Sequence, residues 1–171
     1  MANYDSAIDF VLRLEDSTLA GNVTHDSDGA TRYGLLDKWH PDLVQEGYYS
    51  MDPASALVYA KNYYRAKYWN VVQGDNINDQ KIAAQLLSIG VNDGTGRAVQ
   101  FAQQALGVTV DRILGPATLA AINSQDPSSF LAAFDSAADA YYQQVVIQQP
   151  AKVADLRGWY NRVAAINNYQ G

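Results

Sequence analysis

Apolar residues recur along much of the chain at helical spacing, which predicts a mainly α-helical protein. In the first predicted helix, one face collects three apolar side chains and a carboxylate at its C-terminal end: Ile8, Val11, Leu12 and Glu15. The alternation of polar and apolar residues that is typical of strands is confined to one short region. There, residues 23–25 and 30–33 are predicted to form a small β-hairpin.

Capping residues place two further helix starts. Aspartate followed by proline occurs at residues 52–53 and 126–127, and this pair is typical of a helix start because aspartate caps the helix and proline suits its first position. The helix that begins at residue 53 is predicted to run to about Tyr68. Its expected buried side comprises Ala54, Leu57, Val58 and Tyr64.

Similar signals bound the helices between these two. Asn78 or Asp79 is expected to cap a helix that stops at residues 92–94. Thr95 is expected to cap the next helix, and Gly107 to end it in a left-handed conformation.

A polar connector at residues 71–76 is the expected boundary between two lobes. Residues 1–75 would form the N-terminal lobe and residues 76–171 a helical C-terminal lobe, packed as one globular unit. A chain of 171 residues suits a single domain, which buries about two thirds of its unfolded surface.

The composition argues against metal and redox chemistry. The chain has no cysteine, which excludes a disulfide framework and thiolate metal sites. Its two histidines, His25 and His40, lack the spacing of a paired metal site. We therefore expect neither a metal nor any other cofactor.

Negative charge is concentrated in the N-terminal third. The net charge is −6, and residues 1–52 hold ten of the 18 acidic and three of the 12 basic residues. Nucleic acid is a poor candidate partner, because binding its phosphates requires a basic patch.

No apolar stretch is long enough to cross a bilayer, and Asp5 and Asp9 stand where a secretory signal would carry basic residues. We expect no membrane insertion.

Glu15 is the leading candidate for a catalytic residue. Apolar surroundings and the partial negative charge of a helix C-terminus both favour the protonated form of a carboxyl group. The turn residues that follow would fold Asp26 and Thr31 back toward the helix end. A proton-donating carboxyl, a second carboxylate and a hydroxyl that positions water are what glycosidic bond cleavage requires.

Two N-terminal segments, residues 10–15 and 26–35, resemble the signature of glycoside hydrolase family 108, which contains phage and bacterial N-acetylmuramidases. Four later segments resemble the family's C-terminal peptidoglycan-binding helical region: residues 82–87, 91–94, 110–119 and 158–162. In this order the segments span almost the whole chain.

Four positions depart from the family pattern. Asp16 and Ser17 follow Glu15 where two glycines are common, although one branch of the family shares this form. Asp28 occupies the second glycine position of the hairpin, and Arg112 stands where a glycine is common. Asp16 either raises the pKa of its neighbour as a like charge or points outward, and the divergence of neighbouring helical residues favours the second.

The resemblance implies a lysozyme-like helical fold with a catalytic N-terminal lobe, and cleavage of the β-1,4 bond between N-acetylmuramic acid and N-acetylglucosamine. Glu15 would protonate the leaving oxygen, Asp26 would activate or orient water or screen positive charge, and Thr31 would help to hold the water. Asp28 could replace Asp26. A carboxylate separation of roughly 6.5 to 9.5 Å would indicate inversion, and about 5 Å retention. The alternatives are a lytic transglycosylase and a non-catalytic wall-binding or secretion-assisting protein.

Aromatic residues are candidates for sugar binding, because flat rings stack on the apolar faces of pyranoses. Among 12 tyrosines and three tryptophans, we expect Tyr33, Trp69 and Trp159 to form the cleft wall. Asn92 is a candidate donor to an acetamido or peptide group of the substrate, and equally a candidate helix cap.

Bacterial peptidoglycan is the expected partner, and we expect a monomer. Without a signal peptide, the protein would be made in the bacterial cytoplasm and would need a holin-type pore or a secretion machine to reach the periplasmic wall. A phage endolysin and a secreted bacteriolytic, antimicrobial effector both fit, and an effector would call for a delivery or immunity partner.

Overall fold

Eight α-helices and one small antiparallel sheet make up the chain, whose computed structural model describes all residues from 1 to 171. The helices are α1 (Tyr4–Glu15), α2 (Pro41–Gln45), α3 (Pro53–Tyr64), α4 (Gln80–Asp93), α5 (Thr95–Leu106), α6 (Pro116–Asn123), α7 (Pro127–Gln148) and α8 (Val153–Ala164). The strands are β1 (Thr24–His25), β2 (Ala30–Arg32) and β3 (Leu35–Leu36). The predicted fold class, mainly helical with a small β element near the N-terminus, is confirmed.

The sheet has the order β1-β2-β3, and both neighbouring pairs are antiparallel. The hairpin of β1 and β2 was predicted, but β3 was not, because a strand of two residues leaves no alternating pattern. Arg32 anchors the sheet from inside the protein. Its buried guanidinium donates to the backbone oxygens of Gly21 (2.7 Å), Tyr48 (3.2 Å) and Met51 (2.7 Å).

The aspartate caps predicted from the sequence are confirmed. Asp52, Asp79 and Asp126 each accept a hydrogen bond from a backbone amide in the first turn of α3, α4 and α7 respectively. The prediction for Thr95 was wrong: Gly94 is the cap residue, at a φ of 89°, and Thr95 is the first residue of α5. Gly107 ends α5 in the left-handed conformation, as expected.

Helix α3 buries only part of the predicted side, because Tyr64 is buried as predicted but Ala54 and Val58 are exposed. Its buried residues are Ala56, Ala60 and Tyr64, whereas Val58 is 62% exposed. The reason is that apolar residues occur all round this helix, so their spacing does not define a single face. Helix α3 continues without a break into a π-helical segment, Arg65–Trp69.

Helix α4 lies at the centre of the protein. Every residue from Ile82 to Gly90 is buried, and the helix packs against α1, α5, α7 and α8. One cluster of 34 buried apolar residues extends from Tyr4 to Tyr169 and includes members of both predicted lobes. The lobe boundary near residue 75 stays a prediction. None of the helices combines the length and the apolar character needed to cross a membrane.

Trp69 belongs to this core, so its predicted place in a cleft wall was wrong. Its side chain is fully buried, its ring lies 5.4 Å from that of Tyr4, and its Nε1 donates to Asp75 at 2.8 Å. Gly74 packs against the ring so closely that a Cβ there would lie 2.3 Å from it. A substrate therefore cannot reach Trp69.

We expect Trp69→Ala to lower the free energy of unfolding by about 3–5 kcal/mol, because it empties a large, fully enclosed site. Trp39→Ala is the matched control, since that ring is 71% exposed, and it should change stability by less than about 0.5 kcal/mol. Urea denaturation monitored by circular dichroism measures both values. Equal losses in the two variants would contradict this assignment of core and surface.

Candidate active site

Glu15 is the last residue of α1 and lies against the turn between β2 and β3. Gly34 forms this contact, and a Cβ at Gly34 would lie 2.7 Å from Glu15 Cγ. The φ of Gly34 is 79°, a conformation that glycine adopts at little cost. This contact follows from the sequence, because Glu15 is the last residue of α1 and the glycine in the turn leaves room for its side chain.

Asp16 organises the loop that follows α1. Its Oδ1 accepts hydrogen bonds from the backbone amide (3.1 Å) and hydroxyl (2.8 Å) of Thr18, and its Oδ2 accepts one from the amide of Gly21 (3.0 Å). The hydrogen bond from the amide of Gly21 has the largest effect on the pKa of Asp16, which it lowers. The side chain is therefore engaged in its own loop, which leads the chain into β1.

Arg162 of α8 forms an ion pair with Glu15. Its Nη1 donates to Glu15 Oε1 at 2.5 Å, and the side chains of Arg162 and Glu15 are only 12% and 21% exposed. A guanidinium stabilises the charged form of a carboxylate, whereas burial favours the neutral form. The expectation of purely apolar surroundings for Glu15 was therefore incomplete.

Glu15 opens onto a cleft of about 610 Å³, which we term the main pocket. It is lined by Glu15, Gly34, Leu36, Trp39, His40, Tyr68, Val91, Asn92, Asp93 and Gly94. The exposed ring of Trp39 forms part of its wall. His40 contacts the hydroxyl of Tyr63 at 3.0 Å through Nδ1, and burial lowers the pKa of this histidine.

Asp93 places a second carboxylate in the main pocket. It accepts hydrogen bonds from the hydroxyl of Tyr142 and from Asn92 Nδ2, the latter at 3.0 Å. Burial raises the pKa of Asp93, while the hydrogen bonds from Tyr142 and Asn92 and the charge of Arg162 act in the opposite direction. The pocket thus holds two carboxyl groups that both lie close to Arg162.

Thr31 lines a smaller cavity of about 220 Å³ together with Glu15, which we term the hairpin pocket. Its other lining residues are Asp16, Asn22, Thr24, Tyr33 and Gly34. Thr24 lies opposite Thr31 in the register of β1 and β2. The structure therefore brings the predicted pair Glu15 and Thr31 to one cavity.

Asp26 lies at the tip of the hairpin and lines neither pocket. Its Oδ1 accepts hydrogen bonds from the amides of Asp28 (2.8 Å) and Gly29 (3.2 Å), which closes the turn. Asp28 is 63% exposed and pairs with Lys38 at 3.3 Å. The structure does not bring either aspartate into the cavities that Glu15 lines.

Asn92 and Trp159 line a third cavity of about 570 Å³, which we term the C-terminal pocket. Its remaining lining residues are Leu14, Ala154, Asp155, Gly158, Asn161 and Arg162. Trp159 is partly buried and stacks on Tyr142, with ring centroids 5.0 Å apart. Asn92 is exposed and lines the main pocket as well, so the two cavities adjoin at this residue.

Tyr33 faces the protein interior more than the cleft. Only 3% of it is exposed, and its hydroxyl donates to the backbone oxygens of Leu19 and Pro53, both at 3.3 Å. It contributes to the floor of the hairpin pocket. Its predicted contact with substrate stays a prediction.

Three residues of the site were missed from the sequence: Trp39, Asp93 and Arg162. Asp93 has the signal of a helix stop, because it precedes a glycine at the end of α4. Trp39 stands beside the turn residues His40 and Pro41, a setting that does not itself point to a site. Arg162 lies 147 positions from Glu15, and no local pattern connects the two.

This arrangement suits acid–base chemistry on an extended substrate. Glu15 and Asp93 share one cleft, an exposed aromatic ring borders it, and a second cavity continues from it at Asn92. No three His, Cys, Asp or Glu side chains lie close enough together to hold a metal ion. The chemistry that this chain itself offers is proton transfer by carboxyl groups.

Comparison with known proteins places these residues in context. Residues 8–94 match the sequence profile of the family described as Glycosyl hydrolase 108, and residues 97–164 match that of a Predicted Peptidoglycan domain. The structure of Brucella abortus SagA is similar at 23% sequence identity, with a TM-score of 0.73 over 96% of this chain and 91% of that chain. No curated protein sequence matches the chain.

We expect Gly34→Ala to displace Glu15. A methyl group at this position would meet the Glu15 side chain in addition to the strain of a positive φ, and such overpacking costs about 1–3 kcal/mol. Gly47→Ala is the control, because the φ of Gly47 is 70° and no atom lies within 4 Å of its Cβ position. It should cost only the backbone strain of about 1 kcal/mol.

Chemical denaturation and a crystal structure of each variant check this expectation. The Gly34→Ala crystals should show the Glu15 carboxylate rotated away from Arg162. An unmoved Glu15, with a stability equal to that of Gly47→Ala, would contradict it.

Proposed function

The chain belongs to the glycosyl hydrolase 108 family, and on that premise we propose that it cleaves the β-1,4 bond between N-acetylmuramic acid and N-acetylglucosamine. The family profile covers most of α1, the sheet and α2 to α4, and the peptidoglycan domain covers nearly all of α5 to α8. The protein is therefore a glycoside hydrolase that acts on peptidoglycan. The bond and the catalytic residues are our proposal.

The observation that carries the proposal is the position of Glu15, whose side chain lines both the main pocket and the hairpin pocket. A substrate lying in the main pocket would present its glycosidic oxygen to this carboxyl group, while the hairpin pocket leaves room for water beside it. Glu15 acts as the general acid that protonates the leaving oxygen.

Thr31 supports the proposed chemistry from the hairpin pocket. A hydroxyl can accept a hydrogen bond from water and donate one to a carboxylate at the same time. Thr31 shares its cavity with Glu15, and the pairing of β1 with β2 fixes its position. We assign it the role of holding the water that attacks the anomeric carbon.

We keep Asp26 as the proposed second carboxylate. Both amide hydrogen bonds reach its Oδ1, so Oδ2 is free to act on water or on developing positive charge. Asp93 is the competing candidate because it lines the main pocket, although its burial disfavours the charged form.

Sugar binding is assigned to the walls of the cleft. Trp39 offers an exposed ring face to the main pocket, and Trp159 lines the C-terminal pocket. Asn92 borders both cavities, where its amide can bond an acetamido or peptide group. A glycan chain that spans the two cavities would pass Glu15, which suits cleavage within a polymer.

The biological setting completes the proposal. We propose that the protein is made in the bacterial cytoplasm and acts on the periplasmic wall after export through a holin-type pore or a secretion system. In that setting it would be bacteriolytic, as a phage endolysin or as an antimicrobial effector with a delivery or immunity partner. A monomer suffices for this chemistry, since the proposed acid, second carboxylate and hydroxyl all come from one chain.

Glu15→Gln should abolish the release of soluble fragments from purified peptidoglycan, because glutamine cannot protonate the leaving oxygen. Glu46→Gln is the matched control, since Glu46 is the only other glutamate and lies exposed at the end of α2. It should retain full activity. Mass spectrometry of the wild-type products should show new muramic acid reducing ends.

Two other results would redirect the proposal. Anhydro-muramyl ends from the wild-type enzyme would identify a lytic transglycosylase that uses the same acid. Equal product yields from wild type and Glu15→Gln would indicate a wall-binding protein that lacks this catalytic centre.

Replacing each candidate second carboxylate by its amide should identify the partner of Glu15. Asp26→Asn keeps the Oδ1 acceptor of the turn and removes only the charge, so we expect folding to be retained and kcat to fall by about 100-fold or more. Asp93→Asn should reduce kcat less, because its burial already disfavours the charge. The larger loss in Asp93→Asn would transfer the role to Asp93.

A further inference from the structure

The ion pair of Glu15 connects two distant parts of the chain. Glu15 lies within the stretch that matches the hydrolase family, and Arg162 lies within the stretch that matches the peptidoglycan domain. The bond between Arg162 Nη1 and Glu15 Oε1 is 2.5 Å long. The C-terminal helical region therefore reaches the proposed acid directly.

This pair differs from the other five ion pairs of the chain. Their side chains are between 29% and 63% exposed, whereas Arg162 and Glu15 are 12% and 21% exposed. Exposed pairs contribute little because water screens them and the side chains stay mobile. A mostly buried arginine with a fixed carboxylate partner is held in one geometry, which a catalytic group requires.

The arginine is itself fixed by the central helix. Its Nε donates to the backbone oxygen of Ser88 at 3.2 Å, and Gln85 donates to the backbone oxygen of the adjacent Val163 at 3.1 Å. Nη2 of Arg162 is buried and has no hydrogen-bond partner. Burying an unsatisfied donor costs stability. One donor of this fixed guanidinium is therefore left without a partner.

We propose that Arg162 is a positioning residue of the active site, which holds the Glu15 carboxyl at the meeting point of the main and hairpin pockets. The inference rests on the proposed role of Glu15 as general acid. It adds that the C-terminal helical region completes the catalytic centre in addition to any contact with the wall. The two matched regions therefore act as one enzyme.

The test compares Arg162→Gln with Arg157→Gln, an exposed arginine on the same helix that forms no ion pair. We expect Arg162→Gln to lower kcat on soluble peptidoglycan fragments by roughly 100-fold with little change in KM, because the acid loses its orientation. Arg157→Gln should match wild type in both measures.

A second variant keeps the test decisive. Arg162→Lys should recover about tenfold of the lost kcat, since lysine restores the charge without the planar fork of donors that arginine provides. It carries the test if Arg162→Gln does not fold.

A wild-type kcat in a folded Arg162→Gln, or in Arg162→Lys where the glutamine variant does not fold, would overturn the inference. That failure is distinct from failure of the proposed function, in which Glu15→Gln itself remains active. Binding of each variant to insoluble peptidoglycan should equal that of wild type. A loss of binding that accounts for the whole loss of activity would also overturn the positioning role.

Discussion

The burial of helix α4 on nearly all sides is the constraint on which the rest of the structure depends. Its run from Ile82 to Gly90 contains alanine, serine and glycine among larger apolar residues, so neighbouring helices can approach it closely. Helix α1 packs on it from one direction and α8 from another. Because both helices are fixed against the same support, the end of α1 meets the last turns of α8, and Glu15 meets Arg162.

Around that meeting point, one arginine acts on two carboxyl groups. Arg162 pairs with Glu15, and its charge also opposes the burial that raises the pKa of Asp93. Both carboxyl groups line the main pocket, so the packing of α8 on α4 helps to set the charge of the cleft.

Short-range interactions hold the other side of the site. Asp16 fixes the loop after α1 through backbone amides, and the buried Arg32 fixes the sheet through three backbone oxygens. Gly34 then allows the turn between β2 and β3 to approach Glu15. The hairpin is small, but its position is determined by hydrogen bonds to two separate segments, which accounts for a well-defined pocket at Thr31.

The sequence alone determined the mainly helical fold class, the helices with clear end signals and the hairpin. It also determined the place of Glu15 at the end of a buried helix face. These features follow from caps, turns and helical spacing, which act over a few residues. The sequence misplaced part of the buried side of α3 and the environment of Trp69, where apolar residues are too evenly distributed for their spacing to define a face. Only the tertiary structure decided that Trp39 borders the cleft, that Asp93 enters it and that Arg162 pairs with Glu15. Contacts between residues that are far apart in the chain depend on how helices pack, and they leave no periodic trace in the sequence.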